Sequence, residues 1–167
     1  PLIEINDLVV TFPRDKGEAR FKAVDRVAMS IFPGQTLAVV GESGSGKSVT
    51  AMSSLQLLPV PPAGYEDGRI LWRGGVSDDD TTTSTADEID LLHLPDKQMR
   101  DIRGNQIAMI FQEPMTSLNP VYTIAEQIYE AILLHQKVSR SEARDIAIRA
   151  LRDVGIADPS ARLKEYP

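Results

Sequence analysis

The sequence predicts an α/β fold, and three observations carry that expectation. Residues 36–40, TLAVV, form a short branched apolar run that hands over to a glycine-rich stretch and then to helix-forming residues. Two runs with alternating character precede it, and after residue 120 two Ser/Thr-x-x-Glu boxes each open an amphipathic pattern. Strands early, a glycine turn in the middle and helices late describe a layered fold of sheet and helix.

Each element has its own reason. Residues 2–12, LIEINDLVVTF, alternate and then run apolar, which predicts a strand. PRDKGEAR is a charged turn, and FKAVDRVAMSIF alternates again as a second strand. Pro33-Gly34 turns the chain. TLAVV has the composition of a strand buried on both faces. Val49, Met52, Ser53 and Leu55 to Leu58 keep helical spacing until PVPP stops it, and GRILWRG reads as another short strand. Residues 75–90 differ in kind, holding six acids, no base and a Ser/Thr run, so they read as a solvated surface insertion. That stretch lacks the glycine and glutamate spacing of a calcium loop. LPDKQMRDIRG predicts a short helix and QIAMIF a buried strand. Thr123 to Glu126 spells a capping box, with Ile124, Ile128 and Ile132 along one face. Ser139 to Glu142 spells a second box. Ala143, Ile146, Ala147, Ala150, Leu151 and Val154 follow at helical spacing, and Gly155 is placed to end the helix. Asp158-Pro159 opens a third helix.

Composition narrows the function classes. The 167 residues carry a formal net charge of −6 and no cysteine. Disulfides and thiolate metal sites are therefore excluded, and no nucleic-acid partner is expected, because phosphate contacts need clustered Lys and Arg. No run approaches the ~18 consecutive apolar residues that would cross a bilayer. PLIEINDLVV has neither the basic start nor the apolar core of a signal peptide. His93 and His135 stand far apart with no ligand spacing.

The chemistry concentrates in Gly41 to Ser48, GESGSGKS, which fits G-x-x-x-x-G-K-[ST] at every fixed position. A strand that hands over to a helix through a loop wrapped around an anion needs these residue types. Gly41, Gly44 and Gly46 allow the backbone to come close, so that the amides of Gly41, Glu42, Ser43, Gly44, Ser45, Gly46, Lys47, Ser48 and Val49 can converge on phosphate oxygens. Lys47 brings a point charge to the β and γ phosphates, and Ser48 a hydroxyl oxygen for Mg²⁺. The motif indicates nucleotide binding and leaves the job open, because ATPases, GTPases and kinases share it.

GESGSGKSVT followed some sixty residues later by IAMIFQEPMTSLNPVYTIAEQI resembles the nucleotide-binding subunits of ABC transporters, most closely the oligopeptide, dipeptide, nickel and glutathione importer group. LLHQ and YP are most similar to a glutathione-importer ATPase. The resemblance covers nearly the whole chain outside residues 76–90. It implies a P-loop NTPase fold with residues 1–114 as the N-terminal part of the ATPase core, the acidic insertion at 75–90 included. Residues 115–167 would be the start of a helical subdomain. It implies ATP and Mg²⁺ as ligands. Gly41 to Ser48 match the Walker A loop, and Gln112 matches the Q-loop glutamine that coordinates Mg²⁺ and senses the γ phosphate. Phe12 matches the aromatic residue that stacks on adenine, a role a flat ring suits; Phe21 is a rival for it, and Phe12 could instead belong to the core. Met115 to Tyr122 match the surface that receives a coupling helix from the membrane partner, although the same side chains could simply pack the subdomain.

The resemblance also implies what is missing. The signature motif, the Walker B strand with its glutamate and aspartate, the D-loop and the switch histidine would all follow LKEYP. No catalytic residue is therefore expected within the chain. It reads as a fragment that binds nucleotide weakly at most, does not turn it over, and is marginally stable or self-associating. The intact protein is expected to be an ATPase on the cytoplasmic side of the membrane. Its expected partners are permease subunits, a second nucleotide-binding domain and, indirectly, a solute-binding protein. The rival expectations are a soluble ABC-type ATPase without a membrane partner and a nucleotide-binding module that does not hydrolyse.

Overall fold

The computed structural model describes residues 1–15, 18–74, 88–112 and 117–167. The chain forms two compact units, residues 1–100 and 101–167.

The first unit is built on an antiparallel four-stranded sheet in the order β2-β1-β3-β4. Its strands are β1 (Ile3–Phe12), β2 (Phe21–Ile31), β3 (Gly64–Trp72) and the two-residue β4 (Ile89–Asp90). The central strand β1 pairs Ile3 with Ile31 and Phe12 with Phe21 on one side, and Ile3 with Trp72 and Thr11 with Gly64 on the other. Being central, it buries four successive residues, Leu8 to Thr11, on both faces. Ile5, Ile70, Leu91 and Met99 are also buried in this unit. The pairing is irregular where the β1–β2 and β1–β3 registers shift, close to the left-handed residue Asp7. Opposite this shift Gly68 has φ +95, and a Cβ there would lie 2.6 Å from the Asp7 carbonyl oxygen and the Leu8 Cα. Only glycine fits so close an approach of two backbones.

Helix α1 (Lys47–Ser53) follows the glycine loop. It is shorter than the apolar spacing suggests. Leu55 and Leu58 are buried from the turn beyond it, where Gln56 adopts φ +49. The Gln56 amide donates to the carbonyls of Leu91 at 2.7 Å and Leu94 at 2.9 Å, tying the end of α1 to the segment after β4. A further short helix, α2 (Asp96–Ile102), crosses the boundary between the units.

Two expected strands differ from expectation. TLAVV carries no ladder bonds, and Leu37, Val39 and Val40 are exposed, Val40 at 88%. QIAMIF likewise stays outside any strand apart from the single bridge Arg103–Ile107, with Ile110 exposed at 91% and Phe111 at 50%. A strand is defined by its neighbour as much as by its composition. Among the described residues no strand pairs with either run. The insertion expected at 75–90 lies outside the described residues up to 87; its end supplies Glu88 and β4.

The second unit is a helical hairpin, α3 (Ile124–His135) and α4 (Arg140–Asp153), with the short α5 (Pro159–Arg162). Both capping boxes form. Thr123 Oγ1 accepts from the Glu126 amide, and the Glu126 carboxylate accepts from the Thr123 amide at 2.9 Å. Ser139 and Glu142 repeat the arrangement. Two further amides at the start of α3, those of Ile124 and Ala125, donate to the carbonyls of Glu165 and Leu163. The last residues of the chain thus satisfy donors a helix start leaves open. Tyr129, Ala143, Ala147 and Leu163 form the core, with Ile124, Ile128, Ile132 and Leu151 against it. The two alanines, fully buried, let the helices approach closely.

Candidate functional site

The glycine loop has a definite shape. The Ser45 amide donates to the Glu42 carbonyl at 3.3 Å, closing a turn. Gly44 and Gly46 take φ +81 and +89, conformations that a Cβ penalises. Around Gly44 there is open space. At Gly46 a Cβ would overlap the Ala23 carbonyl oxygen and touch Val24, so the start of α1 rests directly on the backbone of β2. The loop is therefore seated on the sheet of the first unit even though the run before it is unpaired.

Lys47 folds back over this loop. Its ammonium donates to the Gly41 and Glu42 carbonyls, both at 2.7 Å, and to Ser45 Oγ at 3.2 Å. The loop thus encircles a cationic head. Ser48 is exposed at the first turn of α1, whereas Thr50 and Ser53 are buried and turn their hydroxyls back to the carbonyls of Gly46 and Val49. Glu42, Ser43 and Ser45 are exposed, and Val49 is half-buried.

Phe12 and Phe21 are direct partners across β1 and β2. Phe12 is half-buried and Phe21 is 45% exposed. The Arg14 guanidinium sits 5.3 Å from the centre of the Phe21 ring. The end of this hairpin is fixed from Thr11 and Arg20. Arg20 Nε donates to Thr11 Oγ1 at 2.7 Å, and its terminal nitrogen donates to the Thr11 and Pro62 carbonyls. Thr11 Oγ1 in turn donates to Glu66 at 2.7 Å. Sequence reading singled out neither Arg14 nor Arg20, because charged residues next to a turn carry no spacing signal.

Gln112 is exposed in a bend and belongs to the second unit, so the structure gathers the loop and the aromatic pair in one unit and Gln112 in the other. Met115 lies outside the described residues, as do Glu113, Pro114 and Thr116. Leu118, Val121 and Tyr122 are exposed. Gln127 holds their backbone: its amide nitrogen donates to the Asn119 and Tyr122 carbonyls at 3.0 Å, and its oxygen accepts from the Asn119 amide at 2.8 Å. Among the described residues no group of His, Cys, Asp and Glu could hold a metal ion, and no helix is long and apolar enough to cross a membrane.

Comparison with known proteins bears on the family and the fold. The chain is 48% identical over its whole length to the peptidoglycan transport ATP-binding protein YejF of Agrobacterium fabrum, covering 28% of that protein. It is 40% identical over 99% of its length to the oligopeptide transport ATP-binding protein OppD of Bacillus subtilis, covering 42% of it. The chain therefore spans less than half the length of these curated relatives. Among solved structures, the ATP-binding cassette MJ0796 in a dimeric post-hydrolysis state bound to ADP and Pi superposes with a TM-score of 0.73 at 21% identity. That match covers 99% of this chain and 61% of the other, and it shows the fold. The family model for the ABC transporter matches residues 24–167. Because that match runs through the glycine loop and all three helices of the second unit, the chain belongs to the ABC transporter family, in its ATP-binding domain.

Proposed function

We propose that this chain is the nucleotide-grasping part of an energy-coupling subunit of an ABC importer for peptides or related small solutes, glutathione among them. In the intact protein, ATP hydrolysis drives transport. The relatives' names, which speak of oligopeptide and peptidoglycan transport, support the solute class. The observation that carries the nucleotide reading is the loop itself: Gly41 to Ser48 curls around the Lys47 ammonium, which two of the loop's own carbonyls hold at 2.7 Å. A glycine loop of that kind, with a cation at its mouth, suits a triphosphate.

The roles follow from residue chemistry. The amides from Gly41 to Val49 cradle the β and γ phosphates, and Lys47 neutralises their charge. Ser48 and Gln112 offer a hydroxyl and an amide oxygen, hard donors that fit Mg²⁺, which usually takes only a few protein ligands and completes its shell with phosphate and water. When bound, the ion neutralises phosphate charge during transfer. Phe12 offers its ring to the base. A second nucleotide-binding domain and permease subunits are the partners, and the protein sits peripherally on the cytoplasmic face of the membrane.

Titration calorimetry of the intact polypeptide with Mg-ATP tests this reading. Saturable binding is expected for the parent, and none for Lys47→Ala at the same concentrations. Absence of uptake by the parent, or equal uptake by Lys47→Ala, overturns it.

A further inference from the structure

We propose that Glu42 makes the glycine loop selective for nucleotide whose charge a divalent cation has already reduced, by holding a carboxylate at the edge of the loop that repels unchelated polyphosphate. This rests on the triphosphate reading of the loop and deepens it, from the kind of anion to its charge state.

Three observations carry it. Glu42 and Lys47 are the only ionisable side chains between Gly41 and Ser48. They do not neutralise one another. An ammonium has three donors, and Lys47 directs its own to neutral oxygens of the loop, the carbonyls of Gly41 and Glu42 and Ser45 Oγ. Glu42 is exposed, and among the described residues its carboxylate has no ion pair or hydrogen bond. Finally, the root of the Glu42 side chain is fixed. Its backbone carbonyl accepts from the Lys47 ammonium at 2.7 Å and from the Ser45 amide at 3.3 Å.

The carboxylate therefore stands within one glutamate side chain of the carbonyl that grips the cation. That reach is shorter than the Debye length of about 8 Å at physiological ionic strength, so a polyphosphate drawn to Lys47 stays in the field of Glu42. Repulsion by a carboxylate scales with the charge it faces. A divalent cation cancels about two of the negative charges on ATP, so Glu42 penalises the free nucleotide more than its Mg²⁺ complex. Water and salt screen an exposed charge and keep the effect modest. Lys47 attracts both forms, and Glu42 opposes them unequally; the difference is the selectivity.

The test titrates two probes, Mg-ATP and metal-free ATP in EDTA, into the intact polypeptide as parent, Glu42→Gln and Glu42→Lys. Far-UV circular dichroism confirms that each variant keeps the parent's fold. Glu42→Gln is expected to tighten metal-free ATP about five- to tenfold and Mg-ATP by less than about threefold. Glu42→Lys moves both further in the same direction, and raising KCl to about 0.5 M shrinks the difference. Where the parent takes up no metal-free ATP, its uptake by Glu42→Gln supports the inference and continued absence overturns it. A ratio of the two affinities that stays at the parent's value in both variants, or a change in ratio that salt does not diminish, overturns the inference and leaves the loop reading intact. Weaker Mg-ATP binding by Glu42→Gln also overturns it, because the carboxylate would then be holding the metal. Failure of the parent to bind Mg-ATP overturns the loop reading and this inference with it.

Discussion

Replacing Gly46 with alanine separates two penalties that the glycine loop imposes, and Gly44→Ala is the control. Both residues have positive φ, +89 and +81, so either alanine pays the left-handed penalty of about 1–2 kcal/mol. At Gly44 nothing lies within 4 Å of the new methyl, and the penalty stops there. At Gly46 the methyl meets the Ala23 carbonyl, a backbone atom that no rotamer change can move away. Either β2 or the start of α1 must shift, which adds about 1–3 kcal/mol by analogy with overpacked cores. Each kcal/mol moves the melting temperature of a domain of 150–250 residues by about 2–4 °C. Gly46→Ala should therefore lower it about one and a half to four times as far as Gly44→Ala. A displacement near 1 Å at a phosphate cradle also costs about a hundredfold in function, so ATP affinity should fall much further for Gly46→Ala. Differential scanning calorimetry and ATP titration on the two variants provide the measurement. If the two alanines behave alike in both assays, the seating of the loop on β2 is not what restricts Gly46, and the reasoning fails.

Two further outcomes concern the helical unit. Glu126 is held below its ordinary value of 4.5, first by the backbone amide of Thr123, and Glu142 likewise by that of Ser139. Because their folded values are depressed, their stabilisation is complete above pH 4.5 and is lost as pH falls through the folded values. The helical signal should therefore weaken below that point, and Glu126→Gln with Glu142→Gln should flatten the acid limb; an unchanged acid limb in the double variant contradicts this. Ala147 is fully buried and Ala150 is exposed. Ala147→Leu should cost about 1–3 kcal/mol by urea unfolding and Ala150→Leu within about 0.5, and equal midpoints would contradict the packing described for α3 and α4.

The parts of the structure that depend on local chemistry were readable from the residues. Thr123, Ser139 and Gly155 mark helix ends through their own side chains or their own backbone freedom, and they mark them in the structure. The strand character of β1 and β2 was readable from their apolar and branched residues, although β1 buries Leu8 to Thr11 on both faces. What could not be read was relational. TLAVV and QIAMIF have strand composition, yet strand formation awaits a partner, and no partner is found among the described residues. At the site, the loop was legible from glycine spacing, whereas the Lys47 contacts with Gly41 and Glu42 depend on how the loop curls. The Arg14–Phe21 contact and the Gln56 and Gln127 bonds link segments that no pattern connects.

The folded-back Lys47 has a consequence for how an anion enters. The carbonyls of Gly41 and Glu42 would repel one another if left facing an empty ring; the ammonium bridges both and keeps the ring from collapsing or splaying. If the loop holds phosphate as proposed, an arriving phosphate would meet a cation that is already local and would only have to trade one set of oxygens for another. On the proposed reading, Lys47 would be a placeholder that holds the receptacle in shape between one nucleotide and the next.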